Sequence, residues 1–176
     1  FMQLEKICDV KITNVVFMGM GEPFLNYKNT IGAAHILHNP KGINLGAWRI
    51  TISTAGIINK IKKFTEDKEP FKLAVSLNGT SEEQRLKTMP INKVQSLSKL
   101  IEASDKYANF SRKKVTFEYV LLKGINDSPK DAKRLHHMLG SINCKLNLIP
   151  YNEINGIYMR PDEKAINLFI KELFIE

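Results

Sequence analysis

Short β-branched runs, each closed by a turn, alternate along this chain with longer segments whose apolar residues recur at helical spacing. Residues 13–18 read as a strand that ends in Gly19-Met20-Gly21-Glu22-Pro23, and Ile31, Ala34 and Leu37 then mark one face of a helix over 29–38. Arg49-Ile50-Thr51-Ile52-Ser53 is a second strand, followed by a helix carrying Ile57, Ile58, Ile61 and Phe64. Residues 71–77 form a third, followed by a long helix using Val94, Leu97, Ile101 and Ser104 or Tyr107. Residues 115–122 form a fourth, stopped by Lys123-Gly124, and its helix opens at Asp127-Ser128-Pro129, a cap followed by proline in the first turn. Residues 145–149 form a fifth, ended by Pro150, and a last helix begins at Arg160-Pro161-Asp162-Glu163 with an apolar stripe of Ala165, Ile166, Phe169, Ile170 and Leu173. Such alternation implies an α/β fold with a parallel sheet and right-handed crossovers. A closed eightfold barrel takes ~250 residues, so 176 residues support a partial (β/α) barrel or an open sheet. The expectation is one domain over residues 1–176. Phe1 ahead of Met2, and an end inside an apolar helix, read as a piece of a longer protein.

Composition narrows the class. No apolar run approaches the ~20 residues of a membrane helix, and the first residues, Phe1-Met2-Gln3-Leu4-Glu5-Lys6, lack a signal-peptide pattern. Cys8 and Cys144 cannot build a disulfide framework and suit a reducing compartment, so a cytoplasmic protein without membrane contact is expected. Lys and Arg number 26 against 18 Asp and Glu, a net charge of +8. Clusters at Lys60, Lys62, Lys63 and Lys68, at Arg112, Lys113 and Lys114, and at Lys130, Lys133 and Arg134 suit a phosphate backbone, although a solvated basic surface has the same pattern.

In parallel α/β folds, ligands bind where strands end at their carboxyl edge. Those ends here are Gly19-Met20-Gly21-Glu22-Pro23, Ser53-Thr54-Ala55-Gly56, Ser76-Leu77-Asn78-Gly79 and Pro150-Tyr151-Asn152. Gly19 and Gly21 allow close approach of a ligand to the backbone. Pro23 biases Glu22 to extended conformations, leaving backbone carbonyls and the carboxylate facing outward. A rim of that kind suits an ammonium group rather than a phosphate, which would call for glycine-rich amides and a lysine. Ser53, Ser76, Asn78 and Asn152 offer hydrogen-bonding groups toward ribose or carboxylate oxygens, and each is also a common turn or cap residue. His35 and His38 share a helix face without a third ligand, adjacent His136 and His137 point apart, and both cysteines read as small buried hydrophobes.

Taken in order, Val15-Val16-Phe17-Met18-Gly19-Met20-Gly21-Glu22-Pro23, Arg49-Ile50-Thr51-Ile52-Ser53-Thr54-Ala55-Gly56, Leu73-Ala74-Val75-Ser76-Leu77-Asn78, Met89-Pro90-Ile91-Asn92-Lys93, Glu118-Tyr119-Val120 with Gly124-Ile125-Asn126-Asp127, and Leu146-Asn147-Leu148-Ile149-Pro150-Tyr151-Asn152 closely resemble the radical S-adenosylmethionine RNA methyltransferases. These enzymes methylate C2 of an adenine in 23S rRNA and in certain tRNAs. The resemblance implies a radical SAM (β/α) barrel. It places Gly21 and Glu22 on the methionine amino group of S-adenosyl-L-methionine, Ser53 on its polar moiety, Ser76, Leu77 and Asn78 along the next strand end, and Asn152 on the nucleoside. Family members commonly carry His where this chain has Asn78, which keeps hydrogen-bonding capacity but cannot titrate. The resemblance also implies a [4Fe-4S] cluster on a three-cysteine motif before residue 1 and a methyl-accepting cysteine beyond residue 176. The chemistry then runs through a 5′-deoxyadenosyl radical and a methyl-cysteine. Neither cysteine set lies in this chain, which is expected to be inactive alone, with no catalytic residue and no metal ligand of its own. Implied partners are 23S rRNA, tRNA and an electron donor such as flavodoxin, for a monomer. A different radical SAM enzyme such as an activase, or a non-catalytic nucleotide- or RNA-binding module, are the competing readings.

Overall fold

The computed structural model describes residues 1–89, 96–154 and 156–174. Its strands are β1 (Val15–Phe17), β2 (Ile50–Thr54), β3 (Lys72–Ser76), β4 (Val115–Leu121) and β5 (Cys144–Pro150). Its helices are α1 (Met2–Cys8), α2 (Tyr27–His38), α3 (Ile58–Glu66), α4 (Glu82–Thr88), α5 (Leu97–Ser111), α6 (Pro129–Leu139) and α7 (Glu163–Leu173). Local chemistry sets several boundaries. Ser128 caps α6 in a reciprocal capping box with Asp131, with Pro129 in the first turn. Asp162 caps α7 through the Ala165 N–H, and Ser81 caps α4 through that of Gln84.

The strands pair in sequence order, β1-β2-β3-β4-β5, and every pair is parallel. Right-handed crossovers in unbroken order put successive helices on one face, the winding of a barrel; a doubly wound sheet reverses direction part-way. Side-chain alternation agrees. Val115, Phe117, Tyr119 and Leu121 of β4 are buried while Thr116, Glu118 and Val120 are half exposed. Ile50 and Ile52 of β2 and Leu73 and Val75 of β3 join those β4 residues in one apolar core with Ile61, Phe64, Leu100, Tyr107, Leu135 and Phe169 of the helices. The opposite face carries Thr51, Ser53, Ala74, Ser76, Thr116, Glu118 and Asn147 and has no helix in that core. The structure is a segment of a (β/α) barrel with its inner face uncovered.

Three features depart from the sequence reading. α1 and α4 were not anticipated. α4 interrupts the stretch expected to be loop before α5, because Ser81 followed by Glu82 and Glu83 makes a strong helix start. Cys8 is exposed, not buried, since α1 buries no residue. Pro90 to Lys93 of the Met-Pro-Ile-Asn-Lys phrase, and Val94 of the expected helix face, lie outside the described residues. Among the described residues no helix is long and apolar enough to cross a membrane.

Candidate functional site

Parallel pairing brings the carboxyl ends of β1 to β5 to one edge, and the residues there are tied together by named hydrogen bonds. Gly19 (φ +141°) and Gly21 (φ +99°) occupy backbone conformations that L side chains rarely adopt, which is why glycine stands at both positions. Glu22 is extended at φ −103°, ψ 111°, as Pro23 requires. Its carboxylate, however, turns inward. One oxygen accepts from the Phe24 N–H at 2.9 Å and the Thr54 hydroxyl at 2.7 Å, and the other from the Ala55 N–H at 2.6 Å. Thr54 is the last residue of β2 and the Ala55 amide lies one residue past it, and a carboxylate is the strongest acceptor within reach. These three donors leave roughly one of the carboxylate's four lone-pair sites for a ligand.

The next two strands share a second carboxylate. Ser53 on β2 donates to Glu118 Oε2 at 3.2 Å, and Ser76, the register partner of Glu118 on β3, hydrogen-bonds the same group. Burial pushes the Glu118 carboxyl above the ordinary carboxylate range, while the bonds from Ser53 and Ser76 pull it partly back. Ser53 is only 5% exposed. Leu77 points its side chain into the core and reaches this edge only through its backbone, whose N–H donates to the Glu118 carbonyl at 2.8 Å.

Asn78 sits in the left-handed region at φ 52°, one of the few conformations where asparagine substitutes for glycine. Its Oδ1 accepts from the Val120 N–H at 2.9 Å and its carbonyl from Asn126 Nδ2 at 3.1 Å, so it joins the end of β3 to β4. Asn152 follows β5 on the same edge and is exposed; Tyr151 N–H anchors its loop to the Leu121 carbonyl at 3.2 Å. Bonding therefore links Glu22 with the end of β2, Ser53 and Ser76 through Glu118, and Asn78 with β4. Asn152 shares the edge by topology.

Sequence reasoning missed Glu118 and Arg85. A lone carboxylate between Phe117 and Tyr119, in a strand of a parallel sheet, was a readable signal for Glu118. Arg85 of α4 is wholly buried, and its guanidinium donates to the carbonyls of Ser76 at 2.7 Å, Leu77 at 2.6 Å and Ala55 at 2.6 Å. It clamps the ends of β2 and β3 in register, and burial depresses its pKa to about 10. No sequence pattern marked it, because the helix that carries it was itself unexpected.

The remaining candidates have structural partners. His35 pairs with Glu69 at 2.7 Å and His38 with the Leu45 carbonyl at 2.9 Å. Among the described residues no group of three or more His, Cys, Asp or Glu could hold a metal ion. A [4Fe-4S] cluster does not fit this chain's own residues: it has two cysteines, Cys8 on the exposed α1 and Cys144 at the amino end of β5, away from the strand-end edge.

The family model for the radical SAM superfamily matches residues 2–135. The chain belongs to the radical SAM superfamily. Among curated relatives, the "Probable dual-specificity RNA methyltransferase RlmN" of Leptospira interrogans is 45% identical over 169 residues, 96% of this chain and 48% of that protein. The chain spans about half the length of the curated relatives it matches. A crystal structure of a radical SAM methyltransferase from Sphaerobacter thermophilus superposes with a TM-score of 0.92 at 38% identity, covering 97% of this chain and 50% of that one. A domain of pyruvate-formate lyase-activating enzyme from Bacteroides vulgatus shares the fold alone, with a TM-score of 0.70 at 15% identity over 92% of this chain and 93% of that one. The partial (β/α) barrel expected from the strand-helix alternation, and its radical SAM character implied by the resemblance, are the architecture found.

Proposed function

We propose that this chain is the central part of the catalytic barrel of a radical S-adenosylmethionine methyltransferase that modifies C2 of an adenine in 23S rRNA and tRNA. The observation that carries this reading is the 45% identity over 96% of the chain to a relative bearing the RNA methyltransferase name. The strand-end geometry supports it. Gly21 and Glu22 would hold the methionine ammonium through a backbone carbonyl and the remaining lone pair of the carboxylate. Ser53, Ser76 and the Leu77 backbone would line the next two strand ends, Asn78 would keep β3 and β4 in register beneath the ligand, and Asn152 would meet the nucleoside.

S-adenosylmethionine, once bound, supplies both the transferable methyl group and the source of a reactive radical. The residues of this chain bind and orient it, and the excess of 26 cations over 18 anions favours an RNA backbone nearby. Cluster cysteines and a methyl-accepting cysteine, and with the latter a methyl-cysteine intermediate, would come from outside residues 1–176, so this chain alone is expected to transfer no methyl group. The complete protein would be a cytoplasmic monomer served by a one-electron donor such as flavodoxin.

The reading is tested by incubating the full-length protein with reductant, methyl-labelled S-adenosylmethionine and either a 23S rRNA fragment or tRNA, followed by nucleoside mass spectrometry. Labelled 2-methyladenosine is the expected product. An unlabelled RNA, or label at another position, would overturn it.

A further inference from the structure

The sheet's open face holds one carboxylate on the central strands, and its surroundings say what it is for. Glu118 rises from β4 and reaches back across β3 to Ser53 on β2, a span of about 10 Å between strands, ending with its Oε2 3.2 Å from the Ser53 hydroxyl. That reach runs diagonally past small side chains, because the β3 register partner of Ser53 is Ala74, a single methyl, and that of Glu118 is Ser76, which also hydrogen-bonds the carboxylate. Ala74 and Ser53 are consequently covered, at 2% and 5% exposure, whereas Glu118 stays half exposed. The Ser53 hydroxyl hydrogen is committed to Glu118, so Ser53 has little surface and no free donor to show a ligand. The carboxylate keeps exposed surface and acceptor lone pairs beyond those the serines use. Among the described residues Glu118 has no ion-pair partner, unlike Asp131. The other charged groups on this face of the strands are Lys72 on β3 and Lys145 on β5, both toward the amino edge; β1 and β2 contribute Val16, Thr51 and Ser53 there. Across the edge, the Glu22 carboxylate is occupied by Thr54 and Ala55.

We propose that Glu118 is a specificity-determining acceptor beside the strand-end edge, hydrogen-bonded by Ser53 and Ser76, and that it receives a cationic or hydrogen-bond-donating group of the bound ligand. Ser53 acts through Glu118. This rests on the S-adenosylmethionine reading above and deepens it, since that ligand carries both a sulfonium and an ammonium charge and Glu22, already taking three internal donors, has room for one group only.

The test is calorimetric titration of S-adenosylmethionine into the full-length protein across acid to mildly alkaline pH, for the unsubstituted protein and for E118Q, E118D and S53A. The unsubstituted protein should lose affinity as pH falls through the raised Glu118 pKa, because protonation removes the acceptor. E118Q should bind about tenfold more weakly at pH 8, the loss of one charge-assisted hydrogen bond, and its acid limb should vanish; E118D should recover part of both. S53A should move the acid limb to higher pH, since it removes a bond that favours the ionised form. S53A preserves packing, so the inference stays testable if E118Q folds poorly. Equal binding and equal pH profiles for E118Q and the unsubstituted protein would overturn it, as would an S53A acid limb that stays where it is in the unsubstituted protein. Failure of the unsubstituted protein to bind would overturn the ligand reading itself, and the inference with it.

Discussion

The two faces of the sheet are made by the same strands and do opposite work. On β4, Val115, Phe117, Tyr119 and Leu121 disappear into the helix-covered core, while Thr116, Glu118 and Val120 meet the open face one residue out of phase. Two carboxylates make the contrast sharper. Asp131, at the start of α6, is desolvated, but donors from Ser128, Gln84 and Arg134 more than compensate and hold its pKa below the ordinary range. Glu118 is also desolvated, has two serines only, and is held above that range. A closed network stabilises the fold; an unfinished one leaves capacity for a ligand.

The comparison breaks most readily at the covered face. Phe117→Ala should cost about 3–5 kcal/mol of unfolding free energy through transfer and cavity terms, measured by denaturant titration; a loss below 1 kcal/mol would mean that the core is not closed over β4. Arg85→Lys should cost about 1.5–3 kcal/mol, because a single ammonium cannot serve the Ala55 carbonyl and the Ser76 and Leu77 carbonyls together. A lysine variant of full stability would show that the guanidinium fork is dispensable.

On the open face the sign reverses. A carboxyl whose folded pKa is raised binds its proton more tightly in the folded state, so its ionisation costs stability as pH rises above the ordinary carboxylate range. Glu118→Gln should therefore be as stable as the unsubstituted protein, or slightly more so, at neutral pH, and the difference should shrink on acidification. For Asp131 the lowered pKa works the other way, contributing stability at neutral pH that is lost as pH falls through it, so Asp131→Asn should lower stability at neutral pH by a deficit that shrinks on acidification. The smallest effect belongs to exposed helix pairs such as Lys106–Glu102 at 2.6 Å, where Lys106→Ala should leave the unfolding midpoint unchanged within error.

This division explains what sequence alone could reveal. The covered face follows from periodicity, so β2 to β5, α2, α3, α6 and α7 were legible, as was the cap at Ser128 with Pro129. Glycine at residues 19 and 21 was legible because only backbone geometry demands it there. Partner choice on the open face was not. Which donors Glu22 would take depends on where β2 ends relative to β1, and the reach of Glu118 to Ser53 depends on Ala74 and Ser76 being small on the strand between them. Such contacts join residues 32 to 65 apart in the chain, beyond any local pattern.

The central claim, that the carboxyl edge and open face together form the ligand cradle, is tested most directly by hydrogen–deuterium exchange of the full-length protein with and without S-adenosylmethionine. Slowed exchange is expected in the segments containing residues 19–24, 53–56, 76–79 and 118–121, with no change around Trp48, Lys72 and Lys145 at the amino edge. Protection confined to that amino edge, or none at the four strand ends while ligand is bound, would contradict it.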